Sequence, residues 1–377
     1  MKKIVRAFSV IIAPILFVCS LFAGCKGKEV DNVVDFNGIM RDIDVKPEEA
    51  PAYEQYSRQA YAEYEEVANK HIVNGDVDIE NEEVIKAASA TAAKLYAYAC
   101  YNERTLNRYV YFSNQEGETK AGGSASIITQ EYYLRVNENE NSCGYRYHYT
   151  LKKVMEASGG LIGLKGLFES ARMRVTDQTD LLYRFEGSNM VLGEVHPTLG
   201  CKMITCNWET GKDWGKHDIQ MKKGEFIAPE NIEQDIVAHA GEDNITIRGN
   251  INILAENIIK NATVFKEDEG GYFVFMNIDT SVANRDEASL KMLRKANDSG
   301  NCEWVDDGDD SGLVIIFRLW ENGLFRFYNV QERWTGKVQG ISGTADATKK
   351  YYYSYSDYDC DMTKNLETLE KAKELKG

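Results

Sequence analysis

Histidine is scarce in this chain and does not cluster. The five histidines of the 377 residues, His71, His148, His196, His217 and His239, lie at least 21 positions apart. No two can share a helix face, which excludes the zinc-protease grip. The serine-nucleophile motifs are missing too: there is no Gly-x-Ser-x-Gly and no Ser-x-x-Lys. Gly122-Gly123-Ser124-Ala125-Ser126 has the wrong last residue and leads into a strand. Basic residues are outnumbered 44 to 59, a formal charge of −15. So acidic a chain repels nucleic acid and anionic headgroups, which argues against both as partners. It also offers no electropositive setting for a catalytic thiolate. Beyond residue 24 no apolar run approaches the length that spans a bilayer.

What is present begins at the amino terminus. Lys2, Lys3 and Arg6 form a short basic stretch, the run Ala7–Phe22 carries no charge, and the small residues Ala23 and Gly24 precede Cys25. That is the layout of a secretory signal, whose basic end stays at the cytoplasmic face while the apolar run enters the membrane. An uncleaved spanning helix is the alternative. The uncharged stretch is only 18 residues long, and Pro14 near its middle would kink it. Leu21-Phe22-Ala23-Gly24-Cys25 resembles the lipobox of bacterial lipoproteins, with Phe22 where that family most often has leucine. The resemblance covers the first 25 residues. It implies an S-diacylglycerol on Cys25, cleavage between Gly24 and Cys25, and N-acylation of the cysteine so exposed. Two acyl chains at about 0.8 kcal/mol per buried methylene hold a protein on a membrane surface. The expected address is therefore the extracytoplasmic face of a bacterial cell membrane, reached through a lipid anchor.

Without its first 24 residues the chain carries a formal charge of −18. A hydrophobic content of 43%, with 22 tyrosines and 14 phenylalanines, supports a folded core rather than disorder. Six cysteines remain after Cys19 and Cys25: Cys100, Cys143, Cys201, Cys206, Cys302 and Cys360. They permit disulfides, with Cys201 and Cys206 the nearest pair, or they are buried thiols. Their spacing is poor for zinc, and neither a metal nor a cofactor is expected.

Residues 25–46 read as a polar tether and 47–377 as one α+β domain, with two sub-lobes dividing near 225–240 as a variant. Pro47 and Pro51 suit a first helical turn, and Tyr53, Tyr56, Ala60, Tyr64 and Val67 recur at helical spacing. That stripe reads as a packing face. A second helix is expected from an Asn81 cap to about Tyr101, with Ala87, Ala88, Ala92 and Ala93 permitting close approach. The period then changes to two. Candidate strands are Tyr109–Ser113, Ser124–Val136, Cys143–Thr150, Arg172–Thr176, Leu181–Phe185, Met203–Trp208, Asn244–Arg248, Gly271–Ile278, Leu313–Leu319, Gly323–Arg333 and Lys350–Asp359. Asn322-Gly323 between two apolar strands signals a hairpin. Helical interruptions are expected near Leu151–Ser170 and Asp286–Asn297, with a short polar helix over Thr363–Lys376. These elements predict a large curved antiparallel sheet with the two amino-terminal helices packed against it and a short carboxy-terminal helix. Aromatics on both faces, as in Tyr351-Tyr352-Tyr353, predict a sheet sheltered on both sides. The architecture resembles the curved sheets of bacterial lipoprotein and lipid carriers, a likeness of fold alone.

Three local features carry weaker signals. His148, between Tyr147 and Tyr149, reads as a hydrogen-bonded sheet histidine. Gly160-Leu-Ile-Gly163-Leu-Lys-Gly166 reads as a glycine-rich link, with a mobile apolar flap as the alternative. Asp306-Asp307-Gly308-Asp309-Asp310 reads as a hairpin tip, with a calcium loop as the alternative. The functional expectation is a membrane-anchored, non-enzymatic module that binds an apolar, lipid-like ligand or a partner protein. An envelope-polymer hydrolase using carboxylates and a purely structural surface protein are the alternatives.

Overall fold

The computed structural model describes residues 40–48, 50–136, 145–164, 169–176, 181–186, 189–196, 200–207, 212–219, 258–286, 289, 301–307, 310–338 and 341–363. Between 170 and 219 it describes the backbone path and the strand pairing. The signal segment, Cys25, the candidate strand Asn244–Arg248, the sub-lobe boundary near 225–240 and nearly all of the last predicted helix lie outside those residues.

Helix α1 spans Glu54–Ala68 and α2 spans Glu82–Thr105, with the small hairpin β1 (Ile72–Val73) and β2 (Asp76–Val77) between them. The long strands β3 (Arg108–Lys120), β4 (Ser124–Val136) and β5 (Tyr145–Ala157) follow. Next come the shorter β6 (Ser170–Thr176), β7 (Leu181–Glu186), β8 (Asn189–His196), β9 (Gly200–Asn207) and β10 (Lys212–Ile219). Then come β11 (Ile259–Lys266), β12 (Tyr272–Ile278), a one-turn helix α3 (Thr280–Ala283) and β13 (Cys302–Trp304). The hairpin β14 (Asp306–Asp307) and β15 (Asp310–Ser311) precedes β16 (Leu313–Leu319), β17 (Phe325–Val338) and β18 (Ile341–Ser354).

Fourteen described strands form one open antiparallel sheet, which establishes the α+β class. The order is β10-β9-β8-β7-β6-β5-β4-β3-β18-β17-β16-β12-β11, and β13 pairs with β17 beyond the end of β16. The last strand, β18, pairs with the first long one, β3, in mid-sheet.

Both helices lie on one face, over the β11–β18 side. Asn81 caps α2 by accepting from the Glu83 amide, which leaves one fewer orphan donor in the first turn. Helix α1 begins at Glu54, later than Pro51 suggests, and the Pro51 carbonyl accepts its first amide. The tyrosine stripe packs as expected: Tyr53 and Tyr64 are buried, and Tyr61 lies on Tyr272 of β12 with ring centroids 5.0 Å apart. From α2, Tyr96 enters a ring cluster with Phe317, Phe325 and Tyr328 at 5.7–5.9 Å. Each of these fully buried aromatics contributes roughly 1.5–3 kcal/mol by burial. Buried Asn102 ties the layers together, accepting from the Tyr53 amide at 2.7 Å and donating to the Gly323 carbonyl at 3.2 Å. Gly323 turns the β16–β17 hairpin at φ +81°, a conformation that favours glycine.

On the opposite face a second core holds Met40, Val110, Phe112, Leu134, Cys360 and Met362. Tyr351 and Tyr353 belong to the helix-side core and Tyr352 to this one, so the sheet is sheltered on both sides here. Residues 40–46, assigned by sequence to the tether, dock on this face. Asp359 accepts from the Arg41 and Asp42 amides at 2.9 and 2.7 Å, and the Arg41 guanidinium lies 3.6 Å over the Tyr358 ring.

Two sequence expectations need correction. Residues 151–157 continue strand β5, and among the described residues of this stretch only Gly159–Leu164 is helical, as a 3-10 turn. Leu151 and Val154 suggest a helix by their spacing, yet both are buried on opposite faces of one strand, Val154 in a small core with Ala125 and Leu161. Strand β18 starts at Ile341 rather than Lys350 and ends at Ser354.

Candidate functional site

Along β4 the helix-side face changes character. Cross-strand register puts Ser113, Glu131 and Thr150 in one row, and Tyr111, Tyr133 and His148 in the next. Paired positions share a face, so these side chains meet. Glu131 is the hub. Its Oε1 accepts from the Tyr111 hydroxyl at 2.9 Å and lies 2.8 Å from His148 Nε2. Its Oε2 lies 3.2 Å from Lys349 Nζ and accepts from the Ser113 hydroxyl at 3.4 Å. Lys349 reaches across β3 from β18, with its ammonium 4.6 Å from the Tyr351 ring centroid. Burial pulls that ammonium towards neutrality, but the Tyr351 hydroxyl and the Glu131 carboxylate outweigh it and hold the lysine pKa above its ordinary range. The Glu131, His148 and Lys349 side chains keep 16%, 22% and 25% of their surface exposed, so the cluster stays in touch with water.

Two apolar patches bound this polar centre. On one side Tyr111 stacks on Tyr133 at 5.3 Å and 20°, and the His148 ring meets Tyr133 edge-on at 5.7 Å. On the other, Ala125, Val154 and Leu161 form a small core with Ile127 against it. Leu161 belongs to the Gly160-Leu-Ile-Gly163 segment, so that segment acts as a link that plugs the sheet. It is pinned to the β3–β4 turn, where the Gly160 amide donates to the Gly122 carbonyl at 3.1 Å and the Ser124 and Ser158 hydroxyls lie 2.8 Å apart. A Cβ on Gly123 would come within 2.1 Å of the Ser158 carbonyl oxygen, so the two glycine turns interlock. Ile162 stays exposed.

His148 is the hydrogen-bonded sheet histidine its neighbours suggested, but Glu131 and Lys349 carried no sequence signal. Neither stands in a recognisable motif, and 218 positions separate them. Of the Asp306–Asp310 run, Asp306 and Asp307 form β14 and Asp310 opens β15, pairing Asp306 with Ser311 and Asp307 with Asp310; residues 308 and 309 lie outside the described residues. Among the described residues no group of His, Cys, Asp and Glu is arranged to hold a metal ion. Cys100, Cys302 and Cys360 are buried, and burial pushes the Cys360 thiol up to about 12. Cys201 and Cys206 both stand in β9. Five strand steps put their Cα atoms roughly 16 Å apart, beyond the ~7 Å limit of a disulfide. No described helix is long and apolar enough to cross a membrane.

The two Glu131 oxygens thus face four polar groups, from Tyr111, Ser113, His148 and Lys349. No family model and no curated protein matches the chain. Among solved structures it is similar to a DUF1329 family protein from Desulfovibrio piger, with 8% identity, a TM-score of 0.18, and coverage of 74% of this chain and 98% of that one.

Proposed function

We propose that this protein is a lipid-anchored module at the extracytoplasmic membrane surface that binds a lipid-like amphiphile on the helix-side face of its sheet. The observation that carries the reading is the half-exposed strip over β18, β3, β4 and β5, where an aromatic shelf, an ionic centre and an aliphatic patch follow one another. The fold gains little from that ionic centre. A buried ion pair seldom beats a well-packed apolar pair in stability, so its presence where a helix layer ends fits a ligand-facing role. The lipobox-like segment around Cys25 supplies the address.

Two measurements test this. Native mass spectrometry after mild, detergent-free release should show the protein with an added lipid mass, and recovery of apo mass alone counts against binding. Cys25→Ser should abolish labelling by a fatty-acid precursor and release the protein from membranes. Labelling that persists in that variant defeats the anchor.

A further inference from the structure

Along the strands the polar strip has an order. On the helix-side face β3 presents Tyr111, Ser113, Gln115 and Gly117, and β4 presents beside them Tyr133, Glu131, Thr129 and Ile127. Lys349 of β18 stands opposite Gln115, so Lys349, Gln115 and Thr129 form the row next to that of Ser113 and Glu131. Gln115 and Thr129 are half-buried, and among the described residues neither side chain has a hydrogen-bond partner. An amide and a hydroxyl left open in this way, on the flank of an ion pair, suit a hydrogen-bonding ligand better than they suit packing.

The ion pair restricts the charge of that ligand. Glu131 Oε2 and Lys349 Nζ lie 3.2 Å apart, so an anionic head drawn to the lysine meets the carboxylate, and a cationic head drawn to the carboxylate meets the ammonium. Either head must part the pair and leave one charge without its partner, which weakens binding. A hydroxyl meets no such conflict. It donates to the carboxylate while its oxygen accepts from the ammonium or from the Gln115 amide. We infer that the centre seats an uncharged, hydroxyl-rich head, a sugar, lying over the Glu131 and Gln115 rows, with the amphiphile's chain running over Gly117 and Ile127 towards Leu161. The inference rests on the proposed lipid-binding reading and names the ligand's head. The two rows are roughly 7 Å apart along the strands, a span that one sugar ring with its hydroxyls bridges.

The test titrates the full chain, purified without its signal, with decyl β-glucoside, decyl phosphate, decyltrimethylammonium, decylphosphocholine and free glucose, each below the concentration at which micelles form. The expected result is binding of the glucoside about tenfold tighter, or more, than of any other probe, and unchanged by added salt because no net charge is engaged. Gln115→Leu with Thr129→Val should lower glucoside affinity about fivefold and leave that of decyl phosphate where it was. Glu131→Gln should weaken the glucoside and strengthen decyl phosphate several-fold, since Lys349 loses its counter-ion; misfolding cannot mimic that gain. A charged or zwitterionic probe bound as tightly as the glucoside overturns the inference and leaves lipid binding standing. Glucose bound as tightly as its decyl glycoside overturns the amphiphile and leaves a sugar site. Binding of none of the probes overturns both readings.

Discussion

The two halves of the sheet solve the burial problem differently. On the β11–β18 side one face is closed by α1 and α2, and its strands alternate cleanly: β12 and β16 each bury every second residue. From β4 onward the helix-side face carries Glu131, His148 and Lys152, while Leu134 and Leu151 are buried on the other face. On β4 and β5 the helix-side face thus mixes charged residues with the buried Ala125 and Val154. The helix-covered half is built for stability. The other half exposes on the helix side a charged strip that a purely structural sheet would not need.

The sharpest way to break this comparison is to truncate matched aromatics. Phe317→Ala, in the fully buried ring cluster, should cost about 3–5 kcal/mol in urea unfolding. Tyr133→Ala, half-exposed on the strip, should cost no more than about 1–2 kcal/mol, since it leaves no closed cavity. Equal losses would mean the strip is core after all. Gly323→Ala comes next. Its Cβ would lie 2.5 Å from Ser57 Oγ and 3.0 Å from Asn102 Nδ2, at a positive φ. An expected loss of about 2–4 kcal/mol, read as a lowered unfolding midpoint, checks that this turn keys the helices to the sheet.

The helix-covered half is also the half that was legible in the sequence. Asn81 as a cap, the tyrosine stripe of α1 and Asn322-Gly323 as a hairpin are local signals, each satisfied within a few residues. The β4–β5 region was harder because its burial is two-faced, so Leu151 and Val154 imitate a helix. The first half of β18, Ile341-Ser-Gly-Thr-Ala-Asp-Ala-Thr, has little strand propensity; pairing with β3 and β17 on both sides makes it a strand. That stretch delivers Lys349 to Glu131. The site was illegible for this reason: its parts share a face through register, and register is a property of the whole sheet.

Charge supplies a finer test within the strip. Lys349→Met leaves Glu131 facing His148 and two hydroxyls, and should cost about 1–2 kcal/mol, less than a fully buried pair because both partners keep some solvent. Adding Glu131→Leu should recover most of that loss. If the double variant is worse than the single one, the ionic centre is structural and the binding reading loses its main support.

Alkaline pH separates the halves with the smallest effect. In the helix-covered half, burial and the Glu321 carboxylate push the Tyr272 hydroxyl up to about 12. In the strip, Lys349 is held above its ordinary range by Tyr351 and Glu131, against its own burial. Both groups hold a proton more tightly folded than unfolded, so the unfolded chain releases protons first as pH rises. Their contribution is complete below about pH 10, where both unfolded groups are still protonated, and declines above it. Unfolding midpoints taken between about pH 8 and 11 should therefore fall in the wild type. Tyr272→Phe should flatten that slope by removing the helix-side contribution, and Lys349→Met by removing the strip's. A slope that neither substitution changes would place the alkaline sensitivity in other tyrosines and detach it from both halves.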